Sequence, residues 1–165
     1  MQMKDRVVLV TGASRGIGAA TARLLGKHGA SVVINYRSAK DEAAMVAVDV
    51  LEGGAQALAV RADVRDPVQV WAMVEKASAE IGPIDTLVLN ASIEFPVKPF
   101  MDISWEELEA KVTGEIAAAF NCVKAVVPSM IEHGRGCIIA ISSGLSRHPG
   151  HGFSAHSTAK SGLDA

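Results

Sequence analysis

The chain of 165 residues has two cysteines, one tyrosine, and only 4% aromatic residues. Cys122 and Cys137 belong to no C-x-x-C or metal-ligand spacing, so the sequence offers neither a disulfide framework nor a zinc pattern. Both stand among apolar neighbours and read as buried free thiols. An excess of one charge is also missing. The formal net charge is −2, which gives no purchase on nucleic acid or a membrane surface. No apolar run approaches the ~18 residues of a membrane span, and Met1 to Arg6 lack a signal-peptide core, so a cytoplasmic protein is expected. His148, His151 and His156 lie across a Pro-Gly loop at a spacing that is no strong ligand pattern, and no metal is expected. What is abundant is apolar character: 49% hydrophobic against 21% charged residues, a globular balance at the length of one domain spanning residues 1–165.

That apolar content is distributed in two alternating patterns. Short continuous runs at Val7–Val10, Ser31–Asn35, Ala57–Arg61, Thr86–Leu89 and Cys137–Ile141 predict strands buried on both faces. Helical periodicity fills the intervals, over Ile17–His28, Ala39–Glu52, Val68–Ile81 and about Ser104–Glu132. A last helix begins near Ala155. Gly29, Gly53-Gly54, Gly82-Pro83 and Gly134 punctuate the helix ends. Asp66-Pro67 and Ser104-x-x-Glu107 mark helix starts. Strand–helix alternation demands a parallel sheet with helices on both faces, an α/β doubly wound fold of three layers, in strand order 3-2-1-4-5. Ligands of such sheets sit at the carboxyl ends of the strands.

Those ends carry the chemistry. Thr11-Gly12-Ala13-Ser14-Arg15-Gly16-Ile17-Gly18 joins the first strand to the first helix. There, unpaired N–H groups, the helix dipole and the absence of Cβ atoms together suit a phosphate. The G-x3-G-x-G spacing matches neither G-x-G-x-x-G nor a P-loop, but its setting predicts nucleotide binding. The second strand ends in Asn35-Tyr36-Arg37-Ser38, without the acidic residue that would select a free ribose 2′-OH. Arg15 and Arg37 instead suit a 2′-phosphate, favouring NADP(H) over NAD(H).

Together with Asp63-Val64, Asn90-Ala91, Ser142-Ser143 and Lys160, the glycine turn resembles the short-chain dehydrogenase/reductase family from about Lys4 to Ala165. The likeness is nearest to its 3-oxoacyl carrier-protein reductase and polyketide ketoreductase branch. The resemblance implies a Rossmann-type domain, C-terminally incomplete relative to the family; the final helix is itself expected to leave an apolar face and a sheet edge that either a partner or further chain would cover. It implies that Gly12, Gly16, Ile17 and Gly18 hold a pyrophosphate, with Ser14 in the same turn. It assigns Asp63 and Val64 to the adenine, and Asn90 and Ala91 to the adenosine ribose. It further implies a homodimer or homotetramer packed through the long helix and the helix bearing Lys160.

The catalytic positions depart from the family pattern. Counting from Ser143 and from Lys160 places His156 where the family has tyrosine, and Glu115 where it has a helical asparagine. Tyr36, the lone tyrosine, lies at the adenosine end. The expected set is therefore Ser143, His156, Lys160 and Glu115. Ser143 would bind a carbonyl oxygen, His156 would donate a proton and Lys160 would anchor the nicotinamide ribose. The neighbouring ammonium of Lys160 would lower the His156 pKa, and Glu115 would raise it. The expected activity is NADP(H)-dependent reduction of a carbonyl, or oxidation of a secondary alcohol, in a small-molecule or acyl-carrier-bound substrate. Two alternatives remain at this point: redox-neutral acid–base chemistry by Glu115 and His156, and a non-catalytic dinucleotide-binding protein. Glu94, Phe95 and Pro96 are expected to face the pocket.

Overall fold

The computed structural model describes residues 3–165. Five strands form one parallel sheet: β1 (Val7–Val10), β2 (Ser31–Tyr36), β3 (Ala57–Arg61), β4 (Thr86–Leu89) and β5 (Cys137–Ala140). Their spatial order is β3-β2-β1-β4-β5, as the alternation predicts. The connecting helices are α1 (Gly16–Lys27), α2 (Lys40–Glu52), α3 (Pro67–Glu80) and α4 (Trp105–Glu132), and α5 (Ser154–Asp164) follows β5. The predicted boundaries differ from these by a residue or so, as expected where end turns fray.

The Val-Val-Leu-Val run of β1 shows why the layers form. Alternate side chains of a strand point to opposite faces. Val8 and Val10 join Val32, Ile34 and Val88 in one core, together with residues of α1 and α2. Leu9 joins Val33 and Leu87 in the other, under α3 and α4. Each central strand thus contributes to two cores, which sets it at the middle of three layers.

The prediction of strands buried on both faces fails at the edges. Every residue of β5 is exposed, and most of β3 is only partly buried. An edge strand has a neighbour on one side only, and among the described residues no element fully covers β5. Cys137 is exposed for that reason, contrary to expectation, whereas Cys122 on α4 is buried and its thiol is pushed up to about 12 by burial.

Local signals fix where the helices begin. Asp66 accepts hydrogen bonds from the N–H groups of Val68 and Gln69 ahead of Pro67 at the start of α3. Ser104 and Glu107 form a reciprocal capping box on α4. By length and composition α4 meets the criterion for a membrane-crossing helix. It packs Ala118, Cys122, Ala125, Val126 and Met130 into the core beneath the sheet. The start of α1 has no side-chain cap at all, and this difference positions the site.

Candidate active site

Uncapped, the first turn of α1 keeps N–H donors unclaimed at the carboxyl end of β1. Gly16 sits there at φ 58°, and a Cβ added to it would meet nothing within 4 Å, so the turn opens onto free space. Gly18 is the reverse. A Cβ there would lie 2.5 Å from Asn90 Nδ2 and 2.8 Å from the Gly12 carbonyl, so only glycine lets helix, turn and β4 close together.

The turn is held by its neighbours. Asn35, buried at the end of β2, accepts from the Gly12 N–H at 3.1 Å and donates to the Ala62 carbonyl at 3.0 Å. Thr11 Oγ1 accepts from the N–H groups of Asn90 and Ala91 at 2.9 and 3.0 Å. Asn90 Nδ2 returns hydrogen bonds to the carbonyls of Thr11 and Gly12 at 2.9 and 3.2 Å. The sequence reading does not name Asn35 as a site residue.

A cleft of about 210 Å³ lies over these strand ends. It gathers Gly12, Ser14, Arg15, Arg37, Asp63, Val64, Asn90 and Ala91, all named from the sequence, with Tyr36 beside them. Gly16, Ile17 and Gly18 are not in its lining. They sit behind it in the first turn of α1, where Ile17 is 64% exposed. Asp63 is not a free carboxylate. Arg65 binds it through two guanidinium N–H groups at 2.9 and 2.5 Å, and this hydrogen bonding holds its pKa down at about 2. Asp63 is therefore ionised and acts only as a hydrogen-bond acceptor.

The second half of the site is a buried charge cluster that the sequence reading only partly names. Glu115, 2% exposed on α4, faces two ammonium groups. Lys160 Nζ of α5 stands 2.7 Å from Oε1. Lys111 Nζ, one helical turn before Glu115, stands 2.6 Å from Oε2. The Ile93 N–H donates to the same Oε2 at 3.1 Å. Burial pushes the Glu115 pKa up, but hydrogen bonds from Lys111, Lys160 and Ile93 outweigh it, so the carboxylate is held below its ordinary value and stays ionised. Lys160 Nζ also donates to the Ile141 carbonyl at 2.7 Å, which ties α5 to the end of β5.

Lys111 is the functional-region residue the sequence reading missed. It is fully buried, and it donates to Ser92 Oγ at 2.9 Å and the Ile93 carbonyl at 2.8 Å as well as to Glu115. Three acceptors saturate its three N–H groups. Its Nζ also lies 5.0 Å from the centre of the Phe95 ring. The available signal was Lys111-x3-Glu115, an i, i+4 pair on a helix face otherwise made of small residues, where a charge must be paired to be buried.

His156 stacks on that same Phe95, with ring centres 4.5 Å apart and planes 18° from parallel. It lies one helical turn before Lys160, as the spacing predicts. Its Nδ1 is buried with no hydrogen-bond partner. The His156 pKa is lowered, first by burial and then by the charges of Lys111 and Lys160, with Glu115 opposing. Ser143 caps the short turn Gly144–Ser146, its Oγ accepting from the Leu145 N–H at 3.2 Å and leaving its own O–H to donate.

A family profile described as "short chain dehydrogenase" matches residues 6–165. The chain belongs to the short-chain dehydrogenase family. It is 38% identical to a cis-4-hydroxycyclohexanecarboxylate dehydrogenase of Sinomonas cyclohexanicum, over 96% of this chain and 63% of the relative. It is also 38% identical to the ketoacyl reductase HetN of a Nostoc strain, over 98% of this chain and 55% of the relative. A gluconate 5-dehydrogenase from Burkholderia cenocepacia, solved in complex with NADP and tartrate, superposes with a TM-score of 0.89 at 32% identity, covering 98% of this chain and 63% of that one. The chain therefore spans about three-fifths of the length of the relatives it matches. In this short-chain dehydrogenase the glycine turn follows β1, and the charge cluster joins α4 and α5.

Proposed function

We propose that the protein is an NADP(H)-dependent oxidoreductase that interconverts a carbonyl and a secondary alcohol, with His156 as the proton-transfer group. The observation that carries this reading is the His156 imidazole, stacked on Phe95 one turn from Lys160, with a pKa held below its ordinary value. When bound, the reduced cofactor supplies the hydride. The chain's residues do the rest. Ser143 donates a hydrogen bond to the substrate oxygen, and His156 delivers or removes the proton on that oxygen. Lys160 donates to the Ile141 carbonyl, pairs with the Glu115 carboxylate, and would anchor the nicotinamide ribose. Glu115, ionised between two ammonium groups, orients Lys160 and carries no proton of its own. That role for Glu115 favours redox chemistry over an acid–base pair formed by Glu115 and His156.

At the other end, the uncapped α1 turn and the open space at Gly16 fit a pyrophosphate. Gly12, Ser14, Ile17 and Gly18 shape that turn, while Asp63, Val64, Asn90 and Ala91 border the adenosine. Arg15 and Arg37 border the same cleft and favour a 2′-phosphate. Replacing Arg37 with alanine is expected to raise the KM for NADPH about 10- to 100-fold, the worth of one charge-assisted hydrogen bond to a phosphate, and to leave the KM for NADH nearly unchanged. Equal effects on both cofactors would show that Arg37 does not read the 2′-phosphate.

A small-molecule or acyl-carrier-bound substrate and a cytoplasmic location belong to the same proposal. A homodimer or homotetramer does too, supported by the exposed Trp105, Phe120 and Ile131 on α4. The direct test is loss of NADPH absorbance with a panel of ketones and 3-oxoacyl thioesters. Product formation from a hydroxyacyl or keto substrate with no cofactor consumed would replace this reading with redox-neutral chemistry.

A further inference from the structure

We propose that Lys111 is a positioning residue that sets His156 and Lys160 together, acting through Phe95 on one and through Glu115 on the other. This rests on the function proposed above for the same site. Its two routes are visible in the contacts. Lys111 occupies Glu115 Oε2, so the carboxylate presents Oε1 to Lys160. Its ammonium also lies against the Phe95 ring that receives the His156 imidazole. A cation at 5.0 Å from an aromatic centre is attracted to the ring, more strongly when desolvated, and Lys111 is completely buried. Its remaining donors pin Ser92 and the Ile93 carbonyl, two residues before Phe95, so the segment carrying the ring is anchored by the same group.

Charge balance supports a role beyond packing. Lys111, Glu115 and Lys160 together carry a surplus positive charge beside His156. A Glu115–Lys160 pair alone would be neutral, and Lys111 would be a costly addition if structure were its only purpose. The ionisable groups that act on His156 are these three: Lys111 and Glu115 from α4 and Lys160 from α5. Lys111 thus biases the imidazole toward its neutral form while holding its stacking partner.

The test reads the ring of His156 directly, by NMR titration of the whole protein with the signal assigned by its loss in His156→Gln. In Lys111→Met, Glu115 keeps Lys160 as a partner, and the His156 midpoint is expected to rise by roughly one pH unit. Lys111→Arg should keep the midpoint near that of the unaltered protein, and Glu115→Gln should lower it. A folded Lys111→Met protein whose His156 titrates as before would overturn the inference. Should Lys111→Met not fold, Lys111→Gln removes the charge while keeping an N–H donor for the Ser92–Ile93 turn. The midpoint is then expected to rise, and an unchanged midpoint overturns the inference equally. The two readings fail separately. A shifted midpoint without NADPH turnover removes the proposed activity alone. Turnover with an unshifted midpoint removes the role of Lys111 alone.

Discussion

Replacing His156 with alanine is expected to lower kcat for NADPH-dependent reduction by about 100- to 10,000-fold, the usual contribution of a positioned acid or base. Cofactor affinity, read as the Kd for NADPH, should stay unchanged, because the cleft that includes Gly12, Arg15 and Arg37 does not include His156. The pH profile makes the expectation sharper. Reduction requires the imidazolium as acid, and oxidation requires the neutral imidazole as base. Burial and two ammonium groups lower the His156 pKa below its ordinary value of 6.5. Reductive kcat/KM should therefore fall about tenfold per pH unit once pH exceeds that lowered value, while alcohol oxidation rises through the same value and then levels off. At neutral pH the proposed mechanism therefore favours alcohol oxidation over carbonyl reduction. His156→Tyr reverses this, since a phenol keeps its proton far above neutral pH, and the reductive limb should move to alkaline pH. Activity that survives in His156→Ala with an unaltered pH profile would remove His156 from the mechanism.

The fold was legible because its signals are local and repeated. Runs such as Val7–Val10 and Leu87–Leu89 are apolar at every position, the pattern of a strand covered on both faces. The caps at Asp66 and Ser104 fix the starts of α3 and α4 within a residue. The glycine turn was legible for the same reason, since its chemistry lies in eight consecutive residues. Where reading failed, the missing information was non-local. β5 is at least as apolar as β4, but its place at the sheet edge exposes Cys137. Spacing brought His156 and Lys160 onto one helical face, but nothing in the order of residues says that Phe95 stacks on His156. The sequence reading does not name Lys111. Its burial depends on Glu115 of the same helix, on Lys160 at the far end of the chain and on the Ser92–Ile93 turn, a combination that exists only once β4, α4 and α5 meet.

That cluster should also dominate the response of stability to substitution. Glu115→Leu is expected to destabilise the protein by about 3–5 kcal/mol, the cost of leaving buried charge without its partner, and urea unfolding of the whole protein measures it. Two ammonium groups would then face each other around an apolar side chain, with only Ser92, Ile93 and Ile141 as acceptors. Lys111→Met alone should cost far less, since it removes the surplus charge and leaves Glu115 paired with Lys160. In the double variant Lys111→Met, Glu115→Leu, the second change removes one of the two stranded cations. The pair should therefore be more stable than Glu115→Leu by itself, a coupling that a double-mutant cycle reads directly. Additive losses would mean that the two side chains do not share one charge balance. The acid dependence has a definite sign. The Glu115 pKa is lower in the folded protein than in the unfolded chain, so its stabilisation is full above the ordinary glutamate value of about 4.3 and is lost as pH falls through the lower folded value. The burial cost of Lys111 works in the opposite range. Desolvation lowers its folded pKa, so the penalty for burying its charge is relieved only as pH rises past that value. Unfolding measured across acid pH should therefore show a step in the unaltered protein that Glu115→Gln abolishes, and a step that persists in Glu115→Gln would assign it to another carboxylate.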